Sequence, residues 1–247
     1  MAVLAQIWRH PIKGIGAEPL DTASLTPDRP VPGDRAWALA HTAAEQGPDA
    51  AWLACRNFLR GASAPGLMAI TATTEADGRI RLCHPDRPDL IVAPGRDAAR
   101  LIAWIAPLWP EGRPAPARVV AAPDTGMTDV PFPSVSVLSL ASLRVLSGRA
   151  GRALDPRRFR GNLWLDDLAP WEEFDWIGKS LRIGSAEMVI RERITRCRAT
   201  EANPETGLRD TATLALLDEG WGHQDFGVYA QVTKPGTIAP GASVEVV

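Results

Sequence analysis

Residues 226–247 read FGVYAQVTKPGTIAPGASVEVV, and this stretch decides the kind of fold to expect. Two apolar, β-branched runs, Val228–Val232 and Ser243–Val247, flank two Pro-Gly pairs. Pro235 and Pro240 fix φ, while Gly236 and Gly241 permit backbone conformations that other residues avoid. Each pair is what a tight turn requires. The same punctuation runs through the chain, whose 247 residues include 21 Gly and 22 Pro separating short apolar runs. Such spacing is typical of barrels and sandwiches. Further strands are expected at Val3–Trp8, Arg35–Ala40, Leu67–Thr73, Arg79–Leu82, Arg118–Ala121, Val135–Leu140, Asn162–Leu165 and Glu187–Ile194. Three short helices are expected: Asp97–Ile105, Ser139–Arg149, and Thr211–Glu219, the last capped by Asp210 and stopped by Gly220. The fold class is therefore mostly β, with a few short helices padding a β core.

The segment PLWPEGRPAP, residues 107–116, holds four prolines, a composition that disfavours both helix and central strand. A junction is expected there, dividing the chain into domains of residues 1–100 and 101–247. Basic and acidic residues, 27 against 29, are interspersed, so no footprint for nucleic acid is present. The longest apolar run, Leu101–Trp109, is too short for the roughly 20 residues that span a bilayer. The start of the chain lacks the basic and apolar regions of a secretory signal. Cys55, Cys83 and Cys197 are odd in number and irregularly spaced, which argues for a reducing, cytoplasmic setting rather than a disulfide framework. No zinc-ligand spacing, nicotinamide fingerprint or G-x-S-x-G elbow occurs.

Four segments carry chemistry. In ITRCRATEANPETG, residues 194–207, Cys197 stands among Arg191, Arg193, Arg196 and Arg198, the cationic setting a reactive thiolate needs. Along an extended strand Arg196 and Arg198 would point away from the Cys197 face, so the motif requires a bulge or a strand end. Cys55 and Cys83 lie among apolar neighbours and read as small buried side chains. In DPRRFRGNLWL, residues 155–165, an extended backbone would align Arg158, Arg160 and Asn162 as donors for an anionic, oxygen-rich ligand. HPIKG places Lys13 in a turn after the first strand, and GDRAW places Arg35 at the start of another. Arg60 lies outside all four segments.

Together and in this order, the four segments resemble the MOSC family, named for the molybdenum cofactor sulfurase C-terminal domain, preceded by its N-terminal β-barrel domain. The tail 226–247 resembles the end of that domain, and the similarity spans nearly the whole chain. Gly14, Gly161 and Asn203 stand where relatives often carry serine, proline and aspartate. The resemblance implies a β-barrel MOSC domain with a smaller N-terminal β domain. It also implies a molybdenum cofactor of the molybdopterin type between them, as in the reductase branch that includes the mitochondrial amidoxime-reducing component. Cys197 would be the molybdenum ligand and the catalytic residue. Thr195 and Arg196 would line the site, Lys13 and Arg35 would hold the cofactor phosphate, and Arg160 with Asn162 would hold the pterin or its phosphate. Ser134 and Ser136 match the reductases only loosely. Pyridoxal phosphate binding is a further family-level expectation.

The implied function is reduction of small N-hydroxylated or N-oxide compounds by oxygen-atom transfer. No iron–sulfur spacing of cysteines is present, so a separate electron-transfer protein is the expected partner, with no nucleic acid and no membrane. The alternative is a carrier that bears a persulfide on Cys197 or delivers the cofactor. A ligand-binding barrel without chemistry is the third class.

Overall fold

The computed structural model of the chain describes residues 1–45 and 51–247. Its strands are, in order, β1 (Val3–Arg9), β2 (Glu18–Leu20), β3 (Ala23–Leu25), β4 (Trp37–His41), β5 (Thr71–Thr74), β6 (Ile80–His84), β7 (Arg87–Val92), β8 (Pro116–Ala121), β9 (Val135–Ser139), β10 (Leu163–Asp166), β11 (Ser180–Ile183), β12 (Ala186–Thr195), β13 (Asp225–Lys234), β14 (Gly236–Ile238) and β15 (Val244–Val246). Three helices, α1 (Ala98–Ile105), α2 (Leu140–Ala150) and α3 (Thr213–Trp221), complete a mostly β fold.

Eight strands form one sheet in the order β15-β11-β12-β13-β9-β10-β1-β2. The sheet curls until its ends approach: Val3 bridges Ser243, and the Leu4 amide donates to the Ala242 carbonyl at 2.9 Å. Side chains two apart face the same way along a strand. Hence Val135 and Val137, Leu163 and Leu165, Met188 and Ile190, and Val228 and Ala230 all point into one core, which Leu4 and Ile7, three apart, join because the register of β1 shifts between Leu4 and Gln6. The parallel pair β9–β10 is joined through α2, whose first turn is capped by Ser139 Oγ accepting from the Ser142 amide at 3.1 Å.

A second core lies between β4–β8, β5–β6–β7 and α1, built from Ile12, Ile15, Leu39, Leu59, Leu82, Leu101, Trp104 and Ile105. Leu108, Trp109 and Val119 also pack on it, and β8 pairs with β4. The proline-rich segment therefore lies against this core. The first strand belongs to the large sheet, so the turn after β1 carries the chain directly from one core to the other, and that seam is where His10 to Gly16 run.

Several local expectations change. Only Pro240-Gly241 makes a turn, with Gly241 at φ 90. Across Pro235 the chain stays extended, leaving the large sheet at Lys234 to pair as β14 with β3. Gly236 is there for close approach: a Cβ would lie 2.3 Å from the Ser185 carbonyl carbon. Helix α3 contains Gly220 and ends at Gly222, at φ 72. Asp210 does not cap it; it pairs instead with Arg158 at 2.7 Å. Leu67 to Ala69 form part of a 3-10 turn, not a strand. Arg158 and Arg160 do not share a strand face with Asn162, because Pro156–Phe159 is a 3-10 turn and Arg160 is left-handed at φ 48.

The fully buried Glu173 receives a hydrogen bond from Ser142 Oγ at 3.2 Å, and burial pushes its carboxyl up to about 7 from the ordinary 4.5. A carboxyl whose folded pKa exceeds its unfolded one contributes stability that is present below pH 4.5 and lost as pH rises through 7. Glu173→Gln is expected to remove that slope and to stabilise the chain at pH 8 by about 2 kcal/mol. Denaturant unfolding of parent and variant at pH 5 and pH 8 reads the difference. A parallel pH dependence in the two proteins would contradict it.

Candidate functional site

A cavity of about 490 Å³ opens at the seam between the two cores, within the size range of small-molecule sites. Lys13, Arg35, Arg160, Thr195, Arg196 and Cys197, six of the seven residues singled out from the sequence, line it. Asn162 does not. It is 1% exposed, accepts from Ser136 Oγ at 2.9 Å and donates to the Trp8 carbonyl at 3.1 Å, tying β9, β10 and β1 together beneath the site. Ser134 and Ser136 are buried and likewise stay out of the cavity.

Strand β12 ends at Thr195 after register irregularities near Ile190 and Arg193, which supplies the strand end that the cysteine motif requires. Past that end Arg196 turns inward. Its Nε donates to the Phe226 carbonyl and its Nη1 to the Phe159 carbonyl, both at 2.8 Å. Cys197 then caps the 3-10 turn Arg198–Glu201, its carbonyl accepting from the Thr200 amide at 3.2 Å and Oγ1 at 3.1 Å, while its side chain stays exposed. Thr195 Oγ1 donates to Asp225 at 2.6 Å.

The opposite wall comes from the first half of the chain. Gly14 follows Lys13 at φ 74, and a Cβ there would sit 2.5 Å from the Leu59 carbonyl oxygen. No serine fits this turn as it stands. Lys13 Nζ donates to the Met127 and Thr128 carbonyls at 2.9 and 3.1 Å and to Asp129 Oδ1 at 2.5 Å. Arg35, left-handed at φ 50, pairs with the buried Asp34 and donates to the Arg160 carbonyl at 3.2 Å. Asp34 also accepts from the His10 amide at 2.7 Å. Burial and Arg160 push the His10 imidazole down to about 3, so it is neutral and contributes no charge.

Among the described residues, seven cationic side chains line the cavity against two carboxylates, Asp129 and Glu192. Asp34 and Asp210 offset Arg35 and Arg158 from behind. Among the described residues, Arg160 and Arg196 hydrogen-bond only to carbonyls. Both open onto the cavity yet are surrounded by protein. Burial, and for Arg160 the facing Arg35, push the two guanidiniums down to about 9 and about 10. A guanidinium is among the hardest groups to deprotonate, so the depression records positive charge short of a counterion.

Sequence reasoning passed over four lining residues. Arg60 lies on the wall, so it is no neutral reference for mutation. Tyr229, the chain's single tyrosine, is registered opposite Glu192. Asp129 opens the segment DVPFPSVSVLS, residues 129–139, of which only Ser134 and Ser136 were singled out. Cys55 reaches the same cavity and donates to Asp129 Oδ1 at 3.0 Å; burial and that carboxylate push its thiol up to about 11.

No helix among the described residues is long and apolar enough to cross a membrane. The MOSC domain model matches residues 128–245, and the MOSC N-terminal beta barrel domain model matches residues 1–102. The chain is 25% identical over 293 residues to mitochondrial amidoxime-reducing component 1 of Mus musculus, with 99% of this chain and 82% of that protein covered. It is 36% identical over 73 residues to the molybdenum cofactor sulfurase of Anopheles gambiae, covering 29% of this chain and 9% of that protein. Among solved structures, the YUAD protein of Bacillus subtilis aligns over 100% of this chain and 96% of its own, with TM-score 0.48 and 11% identity. With the two domain models lying in tandem along it, the chain belongs to the MOSC family, as an N-terminal MOSC β-barrel domain followed by a MOSC domain.

Proposed function

We propose that the cavity holds a molybdenum cofactor of the molybdopterin type and that the chain reduces small N-hydroxylated or N-oxide compounds with electrons from a separate protein. The observation that carries this reading is the surplus of interior positive charge at Arg160 and Arg196 beside an exposed thiol. Guanidinium forks match phosphate oxygens, and a thiolate is a soft donor for a transition metal. The residues present fit such a group: Arg35, Arg160 and Arg196 hold its phosphate, and Cys197 supplies the protein's sulfur ligand. When bound, the cofactor supplies two-electron oxygen-atom transfer, so that a hydroxylamine, two electrons and two protons give an amine and water.

The chain's own part is orientation. The Thr200 hydrogen bonds to the Cys197 carbonyl fix the backbone that carries the thiol, and the bonds of Arg196 to β13 and to the turn before β10 fix its guanidinium. Pyridoxal phosphate fits less well, because its aldehyde calls for a free lysine amine. Lys13 is the cavity's one lysine, and its three donors are engaged.

Protein made in a host that synthesises molybdopterin is expected to carry about one molybdenum per chain and to release a fluorescent pterin on acid oxidation. Reduced viologen should then drive reduction of a hydroxylamine or N-oxide, and NADH alone should not. Neither metal nor pterin in such a preparation would overturn the reading. The similarity to the sulfurase and the exposure of Cys197 favour, as second reading, a carrier. A persulfide confined to Cys197, without molybdenum, is its signature.

A further inference from the structure

Among the groups that face Lys13, one stands where an anionic ligand would have to go. Asp129 Oδ1 accepts from Lys13 Nζ at 2.5 Å and from Cys55 Sγ at 3.0 Å, and Oδ2 lies 3.9 Å from Arg35 Nη2. Lys13 is 4% exposed and Arg35 7%, whereas the Asp129 side chain is 41% exposed to the cavity. Burial works against its ionisation, yet Lys13 and Arg35 hold the carboxyl well below the usual range, so it is charged. The remaining Lys13 protons point to the Met127 and Thr128 carbonyls, leaving none for a ligand. A phosphate can reach Lys13 only by taking the place of this carboxylate.

We propose that Asp129 determines the ligand specificity of the cavity by acting as a resident counterion on Lys13 and Arg35, which a doubly charged phosphate monoester displaces and a singly charged carboxylate does not. This rests on the reading that the cavity takes an anionic cofactor. Exchanging one carboxylate for another leaves the charge on the two cations unchanged and costs the ordering of a free ligand. Exchanging it for a phosphate dianion adds one negative charge beside Arg160 and Arg196, whose hydrogen bonds among the described residues go to carbonyls and not to carboxylates. Displacing Asp129 costs either ligand the lost ion pairs, and only the second charge of the dianion exceeds that cost, so monoanions stay below the threshold for binding.

The test is calorimetric titration of the cofactor-free, full-length chain with phenyl phosphate, mostly a dianion at pH 8, and with benzoate, a monoanion of similar size. The parent should bind phenyl phosphate and show no measurable heat with benzoate. Asp129→Asn should bind phenyl phosphate at least ten-fold tighter and make benzoate binding measurable, whereas Asp129→Glu, which keeps the charge, should still exclude benzoate. Benzoate binding to the parent as tight as phenyl phosphate overturns the proposal without any variant. Equal phenyl phosphate affinity in parent and Asp129→Asn overturns the role of Asp129 and leaves the anion-binding reading standing. Phenyl phosphate binding to neither chain overturns both.

Discussion

Cys197→Ser is expected to abolish viologen-driven turnover, to below about 1% of the parent, and to lower molybdenum per chain at least ten-fold while part of the pterin stays bound. Serine keeps the size and the 3-10 turn, since that turn is held through the residue's carbonyl and not its side chain. What it removes is the soft thiolate, which a hydroxyl does not replace as a transition-metal ligand. On the proposed reading two of the three arginines that hold the phosphate lie on other elements, Arg160 before β10 and Arg35 before β4, so binding of the organic part is separable from ligation. Cys83→Ser serves as the reference, because Cys83 sits on β6 away from the cavity. Cys55→Ser is no longer a neutral comparison. It should keep most turnover, because a hydroxyl can still donate to Asp129 in place of the thiol. Metal and pterin contents, measured on the same folded samples, separate lost ligation from lost cofactor. Parental turnover and metal content in Cys197→Ser would show that the thiol is not the ligand.

How far the sequence reached depended on whether the relevant interaction was local. Strands β1, β9 and β12 were legible within one residue and β13 within three, since alternation along a strand and the turns that end it are written in consecutive residues. The short strands β2, β3, β7, β11 and β14 were missed. β3 and β14 exist through pairing with each other from opposite ends of the chain, while β2, β7 and β11 pair with their chain neighbours β1, β6 and β12 but carry little pattern of their own. At the site, the Cys197 strand end was foreseen from the Asn-Pro turn that follows it. The row of Arg158, Arg160 and Asn162 was misread, because Pro156 starts a 3-10 turn and Arg160 adopts a left-handed backbone. Those three side chains consequently go to Asp210, the cavity and Ser136 respectively. Asp129 and Cys55, 74 residues apart in sequence, meet only in the folded chain.

Arg160→Asn is expected to act with opposite weight on the loaded and the empty protein. Asparagine tolerates the left-handed backbone at this position better than other uncharged residues, so the substitution tests the guanidinium with little backbone strain. In the empty chain Arg160 donates to the Gly16 and Ile12 carbonyls at 3.0 and 3.4 Å, but its charge is opposed by burial and by Arg35. Because its folded pKa of about 9 lies below the ordinary 12.5, the charged form is the disfavoured one in the folded state, at full cost anywhere below pH 9. Removing it relieves that cost while giving up two hydrogen bonds to carbonyls, so the two effects offset. Stability of the cofactor-free chain should therefore change by less than about 1 kcal/mol, the range of substitutions away from a critical feature. In the loaded protein the same guanidinium faces a phosphate. A charge-assisted contact contributes about 1.5–3 kcal/mol, so retention of the pterin should fall by roughly ten-fold to a hundred-fold. Arg182→Ala, at an exposed position of β11 and paired with Glu187 and Glu245, should alter neither quantity. Pterin per folded chain and denaturant unfolding of the empty protein are the two measurements. An Arg160→Asn chain that is strongly destabilised when empty, yet keeps its pterin, would make Arg160 a structural clamp between β10 and the turn after β1 and would leave the phosphate to Arg35 and Arg196.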